Sequence, residues 1–188
     1  WSSDVCSSDL LLGLLCSIGN AWADDKVYAP TPAQARLVQD NVLITGTYVS
    51  KKVANSSVAS FYVASGSYAP VCIISKAANI KSVTIRGNRD KSGSDNTVKA
   101  FNVLTSSDLT TFTTPTTGFT ATKDNNGTET NVTSLSDIPM VGNDQSYATV
   151  VTVTFDTPVM GVELTYSNST SFSSISVTYD DAITVASQ

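Results

Sequence analysis

The chain contains no histidine. This absence excludes Ser-His-Asp and Cys-His nucleophile systems and zinc sites with histidine ligands. The sequence also has no P-loop, no GxGxxG motif and no GxSxG motif. A carboxylate-pair glycosidase needs only two acids, but the only glutamates are Glu129 and Glu163, and Glu163 alternates with apolar neighbours. We therefore expect that the chain is not an enzyme and that any catalytic part lies outside it.

Tryptophan and cysteine are scarce, and most of them lie near the N-terminus. Both tryptophans and two of the three cysteines precede residue 24, at Trp1, Trp22, Cys6 and Cys16. Residues 24–188 therefore contain one cysteine, Cys72, and cannot form an internal disulfide. Because Cys72 stands in a Val-Cys-Ile-Ile run, we expect it to be a small, buried, apolar residue of the core.

Three regions divide the chain. Residues 1–10 resemble a translated sequencing adapter of the kind that contaminates metagenomic genes, and a genuine polar N-terminus is the alternative. Residues 11–23 combine an apolar run with Ala21-Trp22-Ala23, which predicts a signal peptide cleaved after Ala23. A lipoprotein anchor at Cys16 is the alternative, which Leu15 disfavours. We expect residues 24–188 to be a single domain, secreted or in the cell envelope.

Charge and hydropathy exclude two classes of partner. The chain has 16 acidic and 11 basic residues. Two of the acidic residues, Asp4 and Asp9, precede residue 24, so residues 24–188 have a net charge of −3. No basic cluster stands out, so neither nucleic acid nor an anionic membrane is an expected partner. No apolar run after Ala23 approaches the roughly 20 residues that a membrane helix needs. We expect no membrane insertion after signal cleavage.

Valine, serine and threonine dominate residues 24–188, which favours strands over helices. Apolar and polar residues alternate in 151–155, 162–166 and 175–179, with turn residues at 156–158 and 167–169. This pattern predicts an antiparallel meander. Further strands are predicted at 37–47, 58–63, 71–75, 83–85 and 98–104, a helical turn at 31–35, and polar loops at 89–96 and 123–130. The count predicts an all-β, antiparallel β-sandwich, either a jelly roll or immunoglobulin-like.

The spacing of strands and turns also resembles a known family. Residues 80–87, residues 98–113 with the Ser107-Asp108 turn, and the closing strands are similar to galactose-binding-like jelly-roll domains. Such domains are non-catalytic modules of secreted bacterial polysaccharide lyases and glycosidases, of the type found in Bacteroidetes. The resemblance implies a jelly roll rather than an immunoglobulin-like fold. It also implies glycan binding through loops at one end or edge, often with a structural calcium ion.

A sugar site needs an exposed aromatic face with planar hydrogen-bonding groups beside it. The residues in suitable loop-like or strand-end positions are Tyr147, Asp144, Tyr68, Arg86, Asn88 and Arg89. Calcium prefers several oxygen ligands around a tight turn, and the best candidates are Asp124, Asn126 and Glu129. A second, similar group is Asp90, Asp95 and Asn96. An ordinary polar loop is the alternative for each of these groups.

These observations predict a secreted, non-catalytic carbohydrate-binding or accessory module. In one version of this hypothesis, the module is the N-terminal part of a larger polysaccharide-degrading protein. Calcium is the one candidate cofactor, and a glycan is the expected partner. The alternative is a structural or adhesive subunit of the cell surface. Residues 24–47 would then supply an exchangeable strand.

Overall fold

The protein is built from β-strands throughout the part of the chain that the computed structural model describes. That part comprises residues 25–32, 37–46, 49–52, 58–63, 70–89, 99–140, 148–166 and 170–180. The predicted adapter and signal segments, residues 1–23, lie outside it. Within the described ranges the chain forms fourteen strands and no helix. None of these residues belongs to a helix that is long and apolar enough to cross a membrane.

The strands form two antiparallel sheets that pack against each other, which confirms the predicted β-sandwich. The strands are β1 (Asp25–Tyr28), β2 (Leu37–Gln39), β3 (Val42–Gly46), β4 (Val49–Lys52), β5 (Ala59–Val63), β6 (Val71–Ser75), β7 (Ile80–Arg89), β8 (Lys99–Ser106), β9 (Phe119–Asn125), β10 (Glu129–Asn131), β11 (Ile138–Met140), β12 (Thr149–Val159), β13 (Gly161–Tyr166) and β14 (Thr170–Asp180). Sheet A has eight strands in the order β10-β9-β12-β7-β14-β5-β4, with β1 also paired to β14. Sheet B has six strands in the order β11-β8-β13-β6-β3-β2.

The core lies between the inner faces of the two sheets. Alternate residues of each long strand face inward, as Val151, Val153 and Phe155 do in β12. Phe101 of sheet B meets Phe172 of sheet A edge to face, with ring centroids 5.7 Å apart and an interplanar angle of 79°. This geometry is one that aromatic pairs prefer. The alternation seen in the sequence therefore separates the core-facing residues from the outward-facing ones.

The predicted C-terminal meander is wrong, although its three strands are present. The strands β12 and β14 belong to sheet A, whereas β13 between them belongs to sheet B. The short connections cross the sandwich instead of joining neighbours in one sheet. Period-two alternation reports that one face of a strand is buried, but it does not report which strand lies beside it. The turn predicted at 156–158 is also wrong, because the pairing of β12 with β7 only shifts register between Thr154 and Val159.

Two other segments differ from their predictions. Residues 37–47 are predicted as one strand, but Asp40 and Asn41 form a turn between β2 and β3, and Asp40 has a φ of 50°. Residues 123–130 are predicted as a loop, but they form most of the β9–β10 hairpin. Strand β1 was not predicted. The predicted turns at 167–169 and most of the predicted loop at 89–96 lie outside the described residues.

A loop between β8 and β9 covers part of the outer face of sheet B. Asp108 Oδ1 accepts hydrogen bonds from the backbone N–H groups of Thr110 (2.8 Å) and Thr111 (2.9 Å). A Cβ atom at Gly161 would lie 2.9 Å from the side chains of Leu109 and Phe112. Glycine at 161 therefore allows the loop to seat on the sheet. The loop continues through Thr116 and Thr117 into β9.

Candidate functional site

Of the glycan-binding residues predicted from the sequence, only Arg86 has a described side chain. Tyr147, Asp144 and Tyr68 lie outside the described residues, as do the side chains of Asn88 and Arg89, whose backbone belongs to β7. Arg86 is described and lies on the outer face of sheet A, paired with Val150 of β12 and Ser174 of β14. Its carbonyl oxygen accepts a hydrogen bond of 3.3 Å from Ser173 Oγ. The loop site for a glycan thus stays a prediction.

The predicted calcium ligands belong to the β9–β10 hairpin. Asn126 and Gly127 both have positive φ, 54° and 91°, as a two-residue type I′ turn requires. Asp124 Oδ1 accepts a 2.6 Å hydrogen bond from the N–H of Gly127, and Asp124 pairs across the hairpin with Glu129. Among the described residues, no three Asp, Glu, His or Cys side chains come together as a metal-holding group. Calcium binding at the hairpin stays a prediction.

One residue from each of the two predicted sites, Arg86 and Asp124, lies in the same cross-strand row of sheet A. Asp124 pairs with Val150, and Val150 pairs with Arg86. Since neighbouring strands lie about 4.8 Å apart, Asp124 and Arg86 are separated by roughly two strand spacings, or ~10 Å. The sequence did not indicate this proximity, because the two residues are far apart along the chain.

The next two cross-strand rows on the outer face of sheet A consist of serine and threonine residues. One cross-strand row contains Thr122, Thr152, Thr84 and Ser176, and the next contains Thr120, Thr154, Ser82 and Thr178. The hydroxyls of Thr84 and Thr152 lie 3.1 Å apart and share a hydrogen bond. Serine and threonine hydroxyls both donate and accept hydrogen bonds. The face is therefore polar and uncharged over four strands.

Beside β9, one chain segment closes the side of the sandwich. On sheet A, the N–H of Val132 donates to the carbonyl of Ala121 in β9 (2.9 Å). On sheet B, the N–H of Val103 in β8 donates to the carbonyl of Leu135 (2.9 Å). The side chain of Leu135 has no exposed surface and belongs to the core. Residues 132–137 thus span from one sheet to the other, and they contribute to the lining of two cavities.

The larger cavity, which we name the lateral groove, has a volume of about 390 Å³. Its walls include Phe119, Ala121, Val132, Asn131 and five threonines, among them Thr117 and Thr122. Phe119 is half-buried and packs against the core, whereas Asn131 and most of the threonines are exposed. The groove therefore combines an apolar floor with hydroxyl and amide groups at its rim. No charged side chain lines it.

The smaller cavity, which we name the Lys123 pocket, has a volume of about 220 Å³. It adjoins the groove, since Asn131, Val132 and Thr133 line both cavities. Its other polar side chains are Lys123, Ser134, Ser136 and Asp137. The two cavities share three lining residues at the side of the sandwich, and the charged side chains line only the smaller one.

No protein-family model, curated protein or solved structure matches this chain. The candidate site therefore depends on its geometry alone. The arrangement can bind a small polar ligand that has one apolar face, because a ring and threonine methyl groups lie beside hydrogen-bonding groups.

Sequence reasoning missed the residues of the lateral groove and of the Lys123 pocket. Phe119 follows a Thr-Thr-Gly turn, Asn131 attracts notice only as the head of an Asn-x-Thr sequon, and Lys123 belongs to a predicted loop. None of these residues stands in a recognisable motif. They come together only because residues 132–137 fold back beside β9, which is a long-range feature that local patterns do not encode.

Cys72 lies outside the core, which corrects its predicted position. In β6 the side chains of Val71, Ile73 and Ser75 face inward, so Cys72 faces outward and is half-buried. It pairs with Glu163 of β13. Partial burial, and then the negative charge of Glu163, raise the pKa of the Cys72 thiol to about 11. Burial likewise raises the pKa of Glu163.

Proposed function

We propose that the protein is a secreted, non-catalytic carbohydrate-binding or accessory domain that holds a glycan in the lateral groove. The observation that carries this proposal is the lining of the groove, a phenylalanine with threonine hydroxyls and the Asn131 amide around it. A sugar ring presents a C–H face and several hydroxyls, so it needs an apolar surface and hydrogen-bonding groups side by side. The groove offers both.

The size of the groove and its lack of charge also support this ligand class. Its volume of about 390 Å³ falls within the roughly 300–1,000 Å³ range of small-molecule sites. Neutral hydroxyl and amide groups match the hydroxyls of a sugar without requiring a counter-charge. The hydroxyl rows on sheet A begin at Thr120 and Thr122 of the groove, so a longer chain can continue onto that face.

The strand order supports a jelly roll, the fold that the family resemblance implies. In sheet A the order is β5-β14-β7-β12, so β5 and β14, the first and last of these strands in the chain, are neighbours. Sheet B has the matching order β6-β13-β8-β11. Apart from three local hairpins, successive strands alternate between the sheets. Eight strands joined in this way make two interlocked Greek keys. Non-catalytic sugar-binding modules of the resembled family have this architecture.

Calorimetric titration with a panel of soluble glycans tests the proposal. We expect a dissociation constant on the order of micromolar to millimolar, or ~4–8 kcal/mol, because the groove is shallow and has one aromatic ring. Asn131→Ala should weaken binding about fivefold, since it removes side-chain hydrogen bonds. Phe119→Leu should also weaken binding, because it keeps the apolar volume but removes the ring face.

A matched control is Asn41→Ala, which removes an exposed asparagine from the β2–β3 turn, outside the groove. This variant should bind like the unchanged protein. Tyr147→Ala tests the loop site predicted from the sequence in the same titration. If Tyr147→Ala abolishes binding while Asn131→Ala and Phe119→Leu leave it intact, the glycan does not lie in the groove. Absence of binding across the panel would contradict the proposed function itself.

The alternative function, a structural or adhesive subunit, is favoured by exposed valines at the sheet edges. Val27 of β1 is 59% exposed and Val38 of β2 is 54% exposed. Among the described strands, β1 pairs only with β14 and β2 pairs only with β3. Unpaired edges with apolar side chains favour pairing between copies. Light scattering that shows concentration-dependent polymers, which disappear in Val38→Lys, would support this alternative.

A further inference from the structure

We infer that the glycan bound in the lateral groove is acidic, and that Lys123 binds its carboxylate or sulfate group. This inference rests on the proposed function and adds the chemical class of the ligand. The structural basis is the Lys123 pocket, which shares Asn131, Val132 and Thr133 with the lining of the groove and is itself lined by Lys123.

Lys123 occupies an inward-facing position in β9, next to the edge strand β10 of sheet A. It pairs with Val151 of β12, which is fully buried, and it lies two residues after the buried Ala121. Side chains two residues apart on a strand face the same side. Lys123 is therefore half-buried at the end of the core-facing row, and its side chain lines the adjoining pocket.

Lys123 has no ion-pair partner in the part of the chain that the structure describes, whereas Lys26 and Lys81 each form ion pairs there. Asp137 lines the same pocket, but it makes no salt bridge with Lys123. Within the described ranges, the Lys123 ammonium therefore lacks a counter-charge. A ligand anion in the pocket would supply this counter-charge.

The neutral groups of the pocket favour an anion on a sugar. Ser134 and Ser136 line the pocket with Lys123, and Asn131 stands between the pocket and the groove. Hydroxyl and amide N–H groups donate hydrogen bonds to anionic oxygens. An anionic substituent of a glycan that reaches this pocket would therefore meet the Lys123 ammonium together with neutral hydrogen-bonding groups. Asp137 is the one acidic side chain that lines the pocket, and it limits the affinity for an anion.

Carboxylate and sulfate groups share the chemistry that an ammonium recognises, so the test compares both. The probes are a uronic acid oligosaccharide, its carboxyl-reduced neutral counterpart and a sulfated galactan oligosaccharide of similar length. Calorimetric titration of the whole domain should give tighter binding for an acidic probe than for the neutral one. The preference should shrink as salt is added, because salt screens a partly exposed ion pair.

Two variants assign the preference to Lys123. Lys123→Met keeps the aliphatic stem but removes the charge, and it should weaken binding of the acidic probe roughly tenfold. Binding of the neutral probe should weaken much less, because the neutral probe has no anion to pair with the ammonium. Lys123→Arg should retain most of the preference, because it keeps the charge. The control is Lys76→Met, which changes an exposed lysine in the turn after β6 and should change nothing.

The possible outcomes separate this inference from the proposed function. If Lys123→Met leaves the ratio of acidic to neutral binding unchanged, while Asn131→Ala still weakens binding, the groove binds a glycan but the inference about its charge is wrong. If neither acidic nor neutral probes bind, both the inference and the proposed function fail. Tighter binding of the sulfated probe than of the uronic acid identifies the source of the anion as a sulfate.

Discussion

Asp108 is the residue on which the loop over sheet B depends. Its carboxylate accepts hydrogen bonds from two backbone N–H groups and from Ser106 Oγ (3.0 Å). The next residue, Leu109, has a φ of 62°, which is unfavourable for a leucine. The Asp108 hydrogen bonds offset this strain. They also hold the pKa of Asp108 well below its usual range, with the N–H of Thr111 making the largest contribution.

The stability of the protein should depend on the ionisation of Asp108. A carboxyl group whose pKa is lower in the folded state stabilises that state above its unfolded pKa, here 3.8. We expect this contribution to disappear progressively as the pH falls below that value. Urea unfolding across the acidic range measures it. In Asp108→Ala the loop is less stable at neutral pH and the acid-dependent loss should be smaller. An equal loss in both proteins would show that Asp108 is not responsible.

The Cys72 thiol should react slowly, although it lies on the outer face of sheet B. Its pKa is about 11 because it is partly buried and lies near the charge of Glu163, and the thiolate is the reactive form. Glu163→Gln removes that charge, so the midpoint of the pH–rate profile for alkylation should move to lower pH. Glu129→Gln is the control and should leave the profile unchanged. A midpoint unaffected by Glu163→Gln would mean that burial alone sets the pKa.

At the level of single residues, the sequence predicted the orientation of Glu163 but not the position of Cys72. It indicated correctly that Glu163 faces outward, because alternation with Val162 and Leu164 fixes its face. The same reasoning places Cys72 outward beside Val71 and Ile73, but the apolar run around it suggested a core position instead. Phe119 and Asn131 could not be predicted as groove residues, because their contacts join segments distant in the chain.

The β9–β10 hairpin is the element whose turn most strongly constrains the sequence. Gly127 has a φ of 91° and no atoms near its Cβ position, so Gly127→Ala should be destabilising through backbone strain alone. We expect a loss of about 1 kcal/mol in the free energy of unfolding, measured with urea. Thr128→Ala, at the neighbouring exposed position, should cost much less. Equal losses in the two variants would contradict a specific requirement for glycine at 127.

At the level of elements, the sequence predicted strands with a strong apolar alternation and missed polar ones. Strand β6 matches its predicted range, 71–75, because Val71, Ile73 and Ser75 bury one face. In β9 and β10 most residues after Ala121 are polar, so hydropathy indicated a loop there. The Asn-Gly pair at 126–127 was the available signal, since this dipeptide favours a tight hairpin between two strands. Which strands pair could not be predicted from alternation.

In sheet A, strands from opposite ends of the described chain pair with each other. Strand β14 lies between β7 on one side and both β5 and β1 on the other, and Asp25 of β1 pairs with Asp180 of β14. The sheets are also joined near this end, where Tyr179 donates a 2.7 Å hydrogen bond to Asp40 of the β2–β3 turn. Because β14 supplies buried residues such as Phe172 and Ile175, the core is incomplete without it.

A chain that ends at Tyr166 should therefore lack a cooperative unfolding transition. Addition of a synthetic peptide with the sequence of residues 170–180 should restore β-structure in circular dichroism, because the gap in sheet A has room for one antiparallel strand. A peptide of the same composition in scrambled order is the control. Cooperative unfolding of the shortened chain by itself would show that the remaining strands form a stable sheet.

The position of β14 also determines the order of events during synthesis. The ribosome makes β14 after every other strand of sheet A. A nascent chain therefore cannot assemble the middle of that sheet until β14 has emerged. Contacts between residues far apart in the chain also form slowly, because closing long loops costs entropy. The core of the sandwich therefore stays incomplete throughout this period, since Phe172 and Ile175 of β14 are part of it.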